Sequence, residues 1–282
     1  MSLLTVSLLL CSFSLRAQTV VSTDWLQAHG HDRRVAIVEI GDRPSYDAQH
    51  IAGARFIAVS DLLVARDGTQ NELPEIPALE RTFAGAGIGD RDRIVLYGRD
   101  LVAVTRAFFT LDYLGHGTAV AILDGGFAKW TAEGRAVASG PPPAVKPSDF
   151  QALVRADAIV RKQAMQLLVE CLPSCRDSWA IVDARPPEQY SGADPGAGIA
   201  RGGHIEGAVN VPWQENLTVG AVPLFRSREE LEALYAAAGV PRAASVVVYC
   251  RTGVQASVDY FALRYLGRDV ALYDGSYAEW SR

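Results

Sequence analysis

The sequence predicts an α/β fold with two tandem domains, each of them a small parallel sheet flanked by helices. Three observations support this class: a domain-sized internal repeat, short runs of β-branched residues, and helical segments between those runs. Runs that are apolar throughout are typical of parallel strands, because helices cover both faces of such a sheet. The chain has 282 residues, which is enough for two domains of ordinary size.

The repeat is clearest in two segments, "VLYGRDLVAVTRAFFTLDYLG" and "VVYCRTGVQASVDYFALRYLG". Tyr97 of the first segment matches Tyr249 of the second at a spacing of 152 residues (249 − 97). Further along, Asp124 matches Asp274 at a spacing of 150 residues, after a two-residue deletion. A period of this length indicates a duplicated domain rather than a solenoid of short repeats.

A proline-rich stretch separates the two copies. Residues 139–149 read "SGPPPAVKPSD", and the four prolines favour an extended, semi-rigid linker. We therefore place the first domain at residues 18–138 and the second at residues 150–282.

The apolar runs and the helical periodicity locate the main elements of both copies. The predicted strands are residues 35–40, 93–98 and 119–125 in the first copy, and 179–184, 245–250 and 270–275 in the second. The predicted helices are Thr105–Leu114, Val254–Leu266 and Arg226–Val240, the last with a charged outer face. Alternation of this kind is typical of sheets whose strands run parallel.

The first residues form a separate feature. Residues 1–17 contain an apolar stretch of signal-peptide length that ends near Ala17, although no positive charge precedes it. We expect a signal peptide and a periplasmic or secreted protein. The alternative is an uncleaved extension on a cytoplasmic protein.

Composition excludes some classes of function. The net charge is −5, whereas a general nucleic-acid binder carries a basic face, so we expect no nucleic-acid partner. The body of the chain has no run of eighteen apolar residues, so we expect no membrane association. We expect a monomer.

The chain has four cysteines, Cys11, Cys171, Cys175 and Cys250. Cys171 and Cys175 are close enough to pair in an oxidising compartment, or they are two reduced thiols on a helix end. A zinc site would need more ligands than this pair offers, so we expect no metal. Either way Cys250 is left as a free thiol.

The surroundings of Cys250 indicate a nucleophile. It lies between a predicted strand and a predicted helix, and ligands of α/β sheets bind at the carboxyl ends of strands. Free N–H groups at the helix N-terminus, together with Arg251, should stabilise a thiolate there. Gly253 allows a tight turn that brings more N–H groups inward. The alternative is that Cys250 only packs at a strand end.

Other cysteine chemistries fit less well. A phosphatase of this design needs an arginine six positions after the cysteine, and Ala256 stands there. His204 could serve as the base of a thiol protease, but His50 matches it in the copy that has no cysteine. We therefore expect His204 to support the loop structure by hydrogen bonding. A thioredoxin-like role would need a second cysteine in the loop.

The chain resembles the tandem-domain rhodanese family of sulfurtransferases. The resemblance rests on "VDARPPEQY", "GHIEGAVNVPW", "YCRTGVQAS" and "YDGSYAEW", and it covers nearly the whole chain after residue 17. It implies two rhodanese-like domains, the second catalytic and the first not. Gly98 stands at the place of Cys250 in the first copy, and Glu39 at the place of Asp183.

The resemblance also implies a site and a reaction. Cys250 would be the nucleophile, with Asp183 bracing the loop and Arg185 near the substrate. The active-site loop would comprise the next five residues, which are Arg251, Thr252, Gly253, Val254 and Gln255. Sulfur would pass from thiosulfate to Cys250 as a persulfide, and then to cyanide or a thiol acceptor. No metal or organic cofactor is implied, and the partners are a small-molecule sulfur donor and a thiophilic acceptor.

Two alternatives stay open. The first is a sulfurtransferase that uses 3-mercaptopyruvate, for which Thr252 would supply a hydroxyl. The second is a persulfide carrier that hands sulfur to a protein without turnover. Gln189 stands where this family often has a second arginine, so the choice of donor is not fixed by the motif. Arg251 beside the nucleophile favours the compact, doubly charged thiosulfate.

Overall fold

The fold contains two five-stranded parallel sheets, one in each half of the chain. The computed structural model describes residues 19–282, so the expected signal peptide at residues 1–17 lies outside the described residues. No helix in residues 19–282 is long enough and apolar enough to cross a lipid bilayer. The predicted class, two tandem α/β domains with parallel sheets, is confirmed.

The first half contains nine strands and five α-helices within the described residues. In chain order they are β1 (Val20–Val21), α1 (Thr23–His29), β2 (Val35–Gly41), α2 (Arg43–Ala48), β3 (His50–Ile51), β4 (Arg55–Ala58), β5 (Val64–Arg66), β6 (Thr69–Glu72), α3 (Ile76–Gly85), β7 (Arg93–Tyr97), α4 (Leu101–Tyr113), β8 (Val120–Leu123), α5 (Gly126–Ala132) and β9 (Val137–Ala138). Its main sheet has the spatial order β1-β8-β7-β2-β4. Strands β5 and β6 form a separate antiparallel hairpin.

The second half repeats this plan with five strands and five α-helices. They are β10 (Ile159–Val160), α6 (Lys162–Cys175), β11 (Trp179–Asp183), α7 (Pro187–Ser191), β12 (Val209–Asn210), α8 (Arg228–Ala237), β13 (Ser245–Tyr249), α9 (Ala256–Leu266), β14 (Val270–Tyr273) and α10 (Ser276–Trp280). The sheet order is β10-β14-β13-β11-β12, which matches the first sheet strand for strand. The duplication read from sequence is therefore a duplication of topology.

All six predicted strands are present, but the two matching helices start elsewhere than predicted. Helix α4 begins at Leu101 rather than Thr105, because Asp100 caps it by accepting a 2.9 Å hydrogen bond from the N–H of Val102. Helix α9 begins at Ala256 rather than Val254, after an irregular loop. The loop between strand and helix is thus shorter in the first copy than in the second.

Both faces of each sheet are buried, which explains why the strands are apolar throughout. In β7, Ile94 and Leu96 point into a core that both halves share. Val95 and Tyr97 point to the opposite face and into a core of the first half alone. The shared core means that the two domains do not pack as independent bodies.

Helices α4 and α9 form the centre of this shared core, related by an approximate two-fold axis. Thr105 Oγ1 lies 2.9 Å from Ser257 Oγ, and these residues are 152 positions apart, the spacing of the repeat. Arg264 Nε lies 2.9 Å from a carboxylate oxygen of Asp112, again at a spacing of 152. Aromatic rings from both helices fill the seam between these pairs: Phe108, Phe109, Tyr260 and Phe261. Equivalent surfaces of the two copies therefore meet each other, as in a symmetric dimer.

The linker lies along the first domain. Residues 139–149 contain no helix or strand, and hydrogen bonds from Gly140 N–H to Asp47 O (2.8 Å) and from Ser148 N–H to Ala84 O (3.0 Å) attach them. In the last turn of α6, Cys171 and Cys175 form a disulfide, one of the two arrangements left open by the sequence.

A buried carboxyl group beneath α9 should make stability depend on pH. Asp259 is fully buried and accepts hydrogen bonds from Asn216 Nδ2 and Tyr235 OH, both at 3.1 Å. Burial raises the pKa of Asp259 from 3.8 to about 7, against the opposing effect of these two donors. Between those values the folded state holds a proton that the unfolded state has lost. The stability that this proton provides is complete below pH 4 and is lost as the pH rises through 7.

We expect Asp259→Asn to remove this dependence, because the amide keeps an acceptor for the two donors and cannot ionise. One pKa unit corresponds to about 1.4 kcal/mol, so the variant should gain a few kcal/mol over the native protein between pH 4 and pH 8. Urea unfolding over this range measures the difference, with Asp269→Asn, an exposed carboxylate, as the matched control. Parallel pH curves for native protein and Asp259→Asn would contradict the assignment.

Candidate active site

Cys250 follows directly after β13, at the carboxyl edge of the second sheet. Its side chain is buried, and it is the free cysteine among the described residues. Its N–H donates to Ser276 Oγ at 3.2 Å, and its carbonyl accepts from the N–H of Tyr277 at 3.0 Å. The start of α10 therefore fixes the backbone of the nucleophile on both sides.

Ser276 holds this position at a cost in backbone strain. Its φ is +52°, a left-handed value that a residue with a side chain rarely adopts. The matching residue of the first copy is Gly126, whose φ is also +52°, and a glycine adopts this value without strain because it has no side chain. The hydroxyl of Ser276 donates to Tyr273 O at 2.8 Å while it accepts from Cys250. Strain of about 1–3 kcal/mol is typical of residues that a functional site requires.

The loop after Cys250 offers a group of free donors. The backbone N–H groups of residues 251–256 make no hydrogen bond to any described residue. Helix α9 starts at the end of this loop, and its N-terminus carries a partial positive charge. Donors and dipole together make a place where an anion, including a charged sulfur, can bind.

Gly253 turns the loop, as expected, and a specific contact shows why no other residue fits. Its φ is +82°, and a Cβ atom there would lie 2.5 Å from the carbonyl oxygen of Asp274. Its own carbonyl accepts a 3.1 Å hydrogen bond from Arg106 Nη1, a residue of the first domain. The turn of the active-site loop is therefore held from both domains.

Arg106 and Asp274 form a buried ion pair between the domains. The distance from Arg106 Nη1 to Asp274 Oδ1 is 2.9 Å, and both side chains are fully buried. Arg106 Nη2 also donates to Asn71 O at 2.8 Å. Asp274 Oδ2 accepts from the N–H of Leu73 at 2.9 Å. This pair joins helix α4, the β5–β6 hairpin and the active-site loop into one network.

The hairpin reaches the loop itself. Asn71 Nδ2 donates to Thr252 Oγ1 at 3.0 Å. At the tip, Arg282 near the end of the chain donates to Asp67 O and Gly68 O, at 2.8 and 2.9 Å. The first domain thus contributes to the site through this hairpin.

The remaining loop residues face different surroundings. Arg251 Nη1 donates to Ala197 O at 3.0 Å, and its side chain lies next to Gly196, as does that of Gln189. The carbonyl of Val254 accepts from the N–H of Ser257 at 3.1 Å. Gln255 is the residue that precedes α9. Gln189 is therefore close to Arg251, although the sequence separates them widely.

Asp183 and Arg185 form a second buried ion pair at the same edge of the sheet. Arg185 Nη2 lies 2.6 Å from Asp183 Oδ2, and Asp183 also accepts from the N–H of Arg185 at 3.0 Å. The resemblance implied that Asp183 braces the active loop, but its carboxylate accepts from the N–H, Nε and Nη2 of Arg185, and among the described residues no hydrogen bond joins it to residues 251–255. Its connection to the loop passes through β13, because the N–H of Ala184 donates to Tyr249 O at 2.8 Å.

Arg185 retains one free donor. Its guanidinium carbon lies 4.0 Å from the ring centre of Tyr277, and Nη2 donates to Gly203 O at 2.8 Å. Nη1 is buried and has no hydrogen-bond partner among the described residues. Burial alone lowers the pKa of Arg185, but the hydrogen bonds and charge of Asp183 outweigh it and raise the pKa. The arginine stays charged and has a donor to offer.

His204 supports structure, as the sequence predicted. Its Nδ1 lies 3.0 Å from Tyr190 O, and its ring stacks on Tyr190 at 3.9 Å. His50 repeats both contacts with Tyr46 in the first copy, at 2.9 and 3.9 Å. A pairing present in a copy without a cysteine serves the fold rather than a reaction.

Four residues of the site were not predicted: Asn71, Arg106, Asp274 and Ser276. Asp274 and Ser276 lie in the matched "YDGSYAEW" motif, and the replacement of Gly126 by Ser276 between the copies was a readable signal. Arg106 had no signal, since an arginine inside an apolar helix also fits an ion pair at the surface.

Comparison with known proteins finds the same family in both halves of the chain. A family model described as "Rhodanese-like domain" matches residues 22–133 and again residues 170–282. The sulfur carrier protein TtuD of Thermus thermophilus is 34% identical over 277 residues, which covers 93% of each chain. A Mycobacterium bovis protein named "Putative thiosulfate sulfurtransferase 1" is 30% identical over 275 residues, covering 94% of this chain and 95% of that one.

A solved structure shows the same arrangement of both domains. SseA from Escherichia coli, described among the 3-mercaptopyruvate sulfotransferases, superposes with a TM-score of 0.80 at 26% identity. The match covers 92% of this chain and 98% of that one. The chain belongs to the rhodanese family of sulfurtransferases, with one rhodanese-like domain in each half.

Proposed function

We propose that the protein is a thiosulfate sulfurtransferase in which Cys250 carries the transferred sulfur. One observation carries the proposal: a free cysteine stands at the head of a loop whose N–H groups, residues 251–256, have no partner among the described residues. That arrangement suits a site whose nucleophile and intermediate are both sulfur anions.

The reaction has two displacement steps. The Cys250 thiolate attacks the outer sulfur of thiosulfate, the sulfur–sulfur bond breaks, and sulfite leaves with the bonding electrons. Cys250 then carries a persulfide. Cyanide or a thiolate attacks its terminal sulfur, so that thiocyanate or a new persulfide leaves and the Cys250 thiolate is restored. Both leaving groups are stable anions, so neither step needs a general acid.

The loop favours each negatively charged species along this path. Backbone N–H groups and the α9 dipole are fixed before the substrate arrives, so they need no rearrangement as charge moves between sulfur atoms. Arg251 follows Cys250 in the chain and adds a positive charge to the loop. Arg185 Nη1 is buried without a hydrogen-bond partner among the described residues, and we assign this donor to the sulfonate oxygens of thiosulfate. Arg185 is held for this role by Asp183.

Two other functions each have one supporting observation. The Thr252 hydroxyl, oriented by Asn71, suits a donor with a carboxylate, and SseA is described among the 3-mercaptopyruvate sulfotransferases. The likeness to TtuD, named a sulfur carrier protein, supports transfer to a protein acceptor. Gln189 stands in place of a second arginine, so Arg251 is the cation of the loop. A single cation beside the nucleophile favours the compact dianion thiosulfate, and we therefore prefer thiosulfate sulfurtransferase to these two alternatives.

Replacing the nucleophile tests the mechanism. We expect Cys250→Ser to abolish formation of thiocyanate from thiosulfate and cyanide, because a serine hydroxyl at neutral pH is not ionised. Thiosulfate alone should add the mass of one sulfur atom to the native protein and none to the variant. The control is the double change Cys171→Ser and Cys175→Ser, which should leave turnover intact. Thiocyanate production by Cys250→Ser would refute the persulfide mechanism.

Donor choice is measured by turnover of thiosulfate and 3-mercaptopyruvate side by side, with cyanide as acceptor. We expect a larger kcat/KM for thiosulfate, and we expect Thr252→Val, which removes only the hydroxyl, to preserve that preference. A native preference for 3-mercaptopyruvate that Thr252→Val reverses would favour the mercaptopyruvate reaction instead. Formation of the persulfide without turnover of either donor would favour the carrier.

The ion pair between Arg106 and Asp274 should affect both the stability of the protein and the conformation of the active-site loop. Arg106→Met leaves Asp274 as an unpaired buried charge, so we expect a loss of about 3–5 kcal/mol in the free energy of unfolding. Adding Asp274→Asn removes that charge and should restore much of the stability. Turnover should stay low in the double variant, because Gly253 O and Asn71 O still lack their donor.

The matched control for this series is Arg161→Met. Arg161 lies 4.0 Å from the same carboxylate but is half exposed, so its loss should cost less than about 1 kcal/mol. Urea unfolding and thiocyanate formation are measured on all three variants. If turnover recovers together with stability in the double variant, Arg106 does not position the loop.

A further inference from the structure

A cavity lies at the carboxyl edge of the first sheet, where Gly98 takes the place of Cys250. Its volume is about 330 Å³. The floor comes from residues 97–104 and 122–128 of the first domain, and the cover from residues 213–225 of the second. The position is the one where α/β sheets bind ligands, and neither the catalytic loop nor the sulfur chemistry uses it.

The approximate two-fold axis makes this cavity the counterpart of the Cys250 site. At the catalytic site, the N–H of Leu73 donates to Asp274 across the domain boundary. At the cavity, the backbone N–H of Phe225 lies near enough to Asp124 to lower the pKa of its carboxyl group, although burial outweighs this effect and raises the pKa. Leu73 and Phe225 are separated by the 152-residue spacing of the repeat, and the two aspartates match in sequence. Each domain therefore covers the other's sheet edge with an equivalent segment.

Only the catalytic site has an arginine that pairs with its aspartate, within the part of the chain that the structure describes. Asp274 faces Arg106, but the residue that matches Arg106 in the second copy is Val258. Among the described residues neither Asp274 Oδ1 nor Asp124 Oδ1 has a hydrogen-bond partner, but Asp274 Oδ1 lies 2.9 Å from Arg106 Nη1, whereas Asp124 Oδ1 is buried without such a cation. Lys129 Nζ lies 4.0 Å from the other oxygen, too far for a hydrogen bond. One face of this carboxylate lacks the cation that its counterpart has.

The positive groups at this cavity are already paired with neighbouring oxygen atoms. Helix α4 begins at Leu101, and the carboxylate of Asp100 caps its N-terminus by accepting from the N–H of Val102. The guanidinium of Arg99 lies over the ring of Phe127 at 4.0 Å and bonds to Glu39 and to Gln49 O. The charge of Arg99 is therefore already balanced within the first domain.

The walls suit an apolar body. Val104, Leu217 and Phe225 line the cavity, and Trp213 adds an indole whose Nε1–H is buried and has no hydrogen-bond partner in residues 19–282. Aromatic faces attract cations as well as apolar groups. Burial raises the pKa of Asp124, with Lys129 opposing, so a cation bound there would stabilise the charged form that burial disfavours.

We propose that this cavity binds a small apolar molecule with one cationic group, an ammonium or amidinium, which pairs with Asp124 as Arg106 pairs with Asp274. The volume is at the small end of the range for ligand pockets, about 300–1,000 Å³, which fits a body of one ring. The Trp213 indole N–H would donate to any acceptor on the ligand. This site is separate from the proposed sulfur transfer and does not depend on it.

The test uses 2-phenylethylammonium as probe, and neutral 2-phenylethanol and anionic 3-phenylpropanoate as matched controls. Calorimetric titration of the full chain should show saturable binding of the ammonium and weaker or no binding of the other two. Because the variant loses a charge-assisted hydrogen bond to the ligand, Asp124→Asn should weaken the affinity for the ammonium at least about tenfold. Cys250→Ser should bind it as the native protein does.

A blocking variant keeps the test decisive if Asp124→Asn folds poorly. Ala128 is exposed on α5 at the wall of the cavity, so Ala128→Phe should fill the space without disturbing the core. It should abolish binding of the probe while thiocyanate formation is unchanged. Three results would each overturn the proposal: no saturable binding, equal binding of the neutral probe, or native affinity in either variant.

Discussion

The buried ion pair between Arg106 and Asp274 is the contact on which the rest of the site depends. Two charges that are fully removed from water are stable only when each has its partner and further hydrogen bonds. Here those bonds run to Gly253 O, Asn71 O and the N–H of Leu73. The groups that form hydrogen bonds to the two charges also shape the active-site loop. A substitution that removes one of these hydrogen bonds therefore changes the loop as well.

The duplication explains how two similar sheet edges come to prefer opposite charges. In the second domain, an irregular loop leaves N–H groups free and an arginine neutralises the aspartate, so an anion is favoured. At the edge of the first sheet, Asp100 caps α4, and Val258 of the second domain stands at the position that matches Arg106. Asp124 therefore lines an apolar cavity and has no arginine partner among the described residues. A cysteine at position 98 would also require the backbone to shift, because a Cβ atom at Gly98 would lie 2.5 Å from the carbonyl oxygen of Ile40.

The fold was predictable because its determinants are local. The apolar runs predicted six strands, all of which are present, and the repeat predicted the matching topology of the two sheets. The order of strand, cysteine, glycine and helix predicted that Cys250 lies at a sheet edge. The bonds that hold the site were not predictable, since Arg106 and Gly253, or Asn71 and Thr252, are far apart in sequence and each residue has ordinary alternatives. The start of α4 was predicted four residues too late for a local reason. The prediction followed apolar periodicity and did not consider that Asp100 could cap the helix.

The same contacts explain why a domain without a nucleophile remains part of the molecule. If the second domain stood alone, Asp274 would lose its ion partner in Arg106, Gly253 O its donor, and Phe261 its packing against Phe108. Exposure of that apolar face and an unpaired carboxylate beside the loop would both disfavour the geometry that Cys250 requires. The first domain therefore acts as a fixed structural part of the catalytic domain, and the functional unit is the pair.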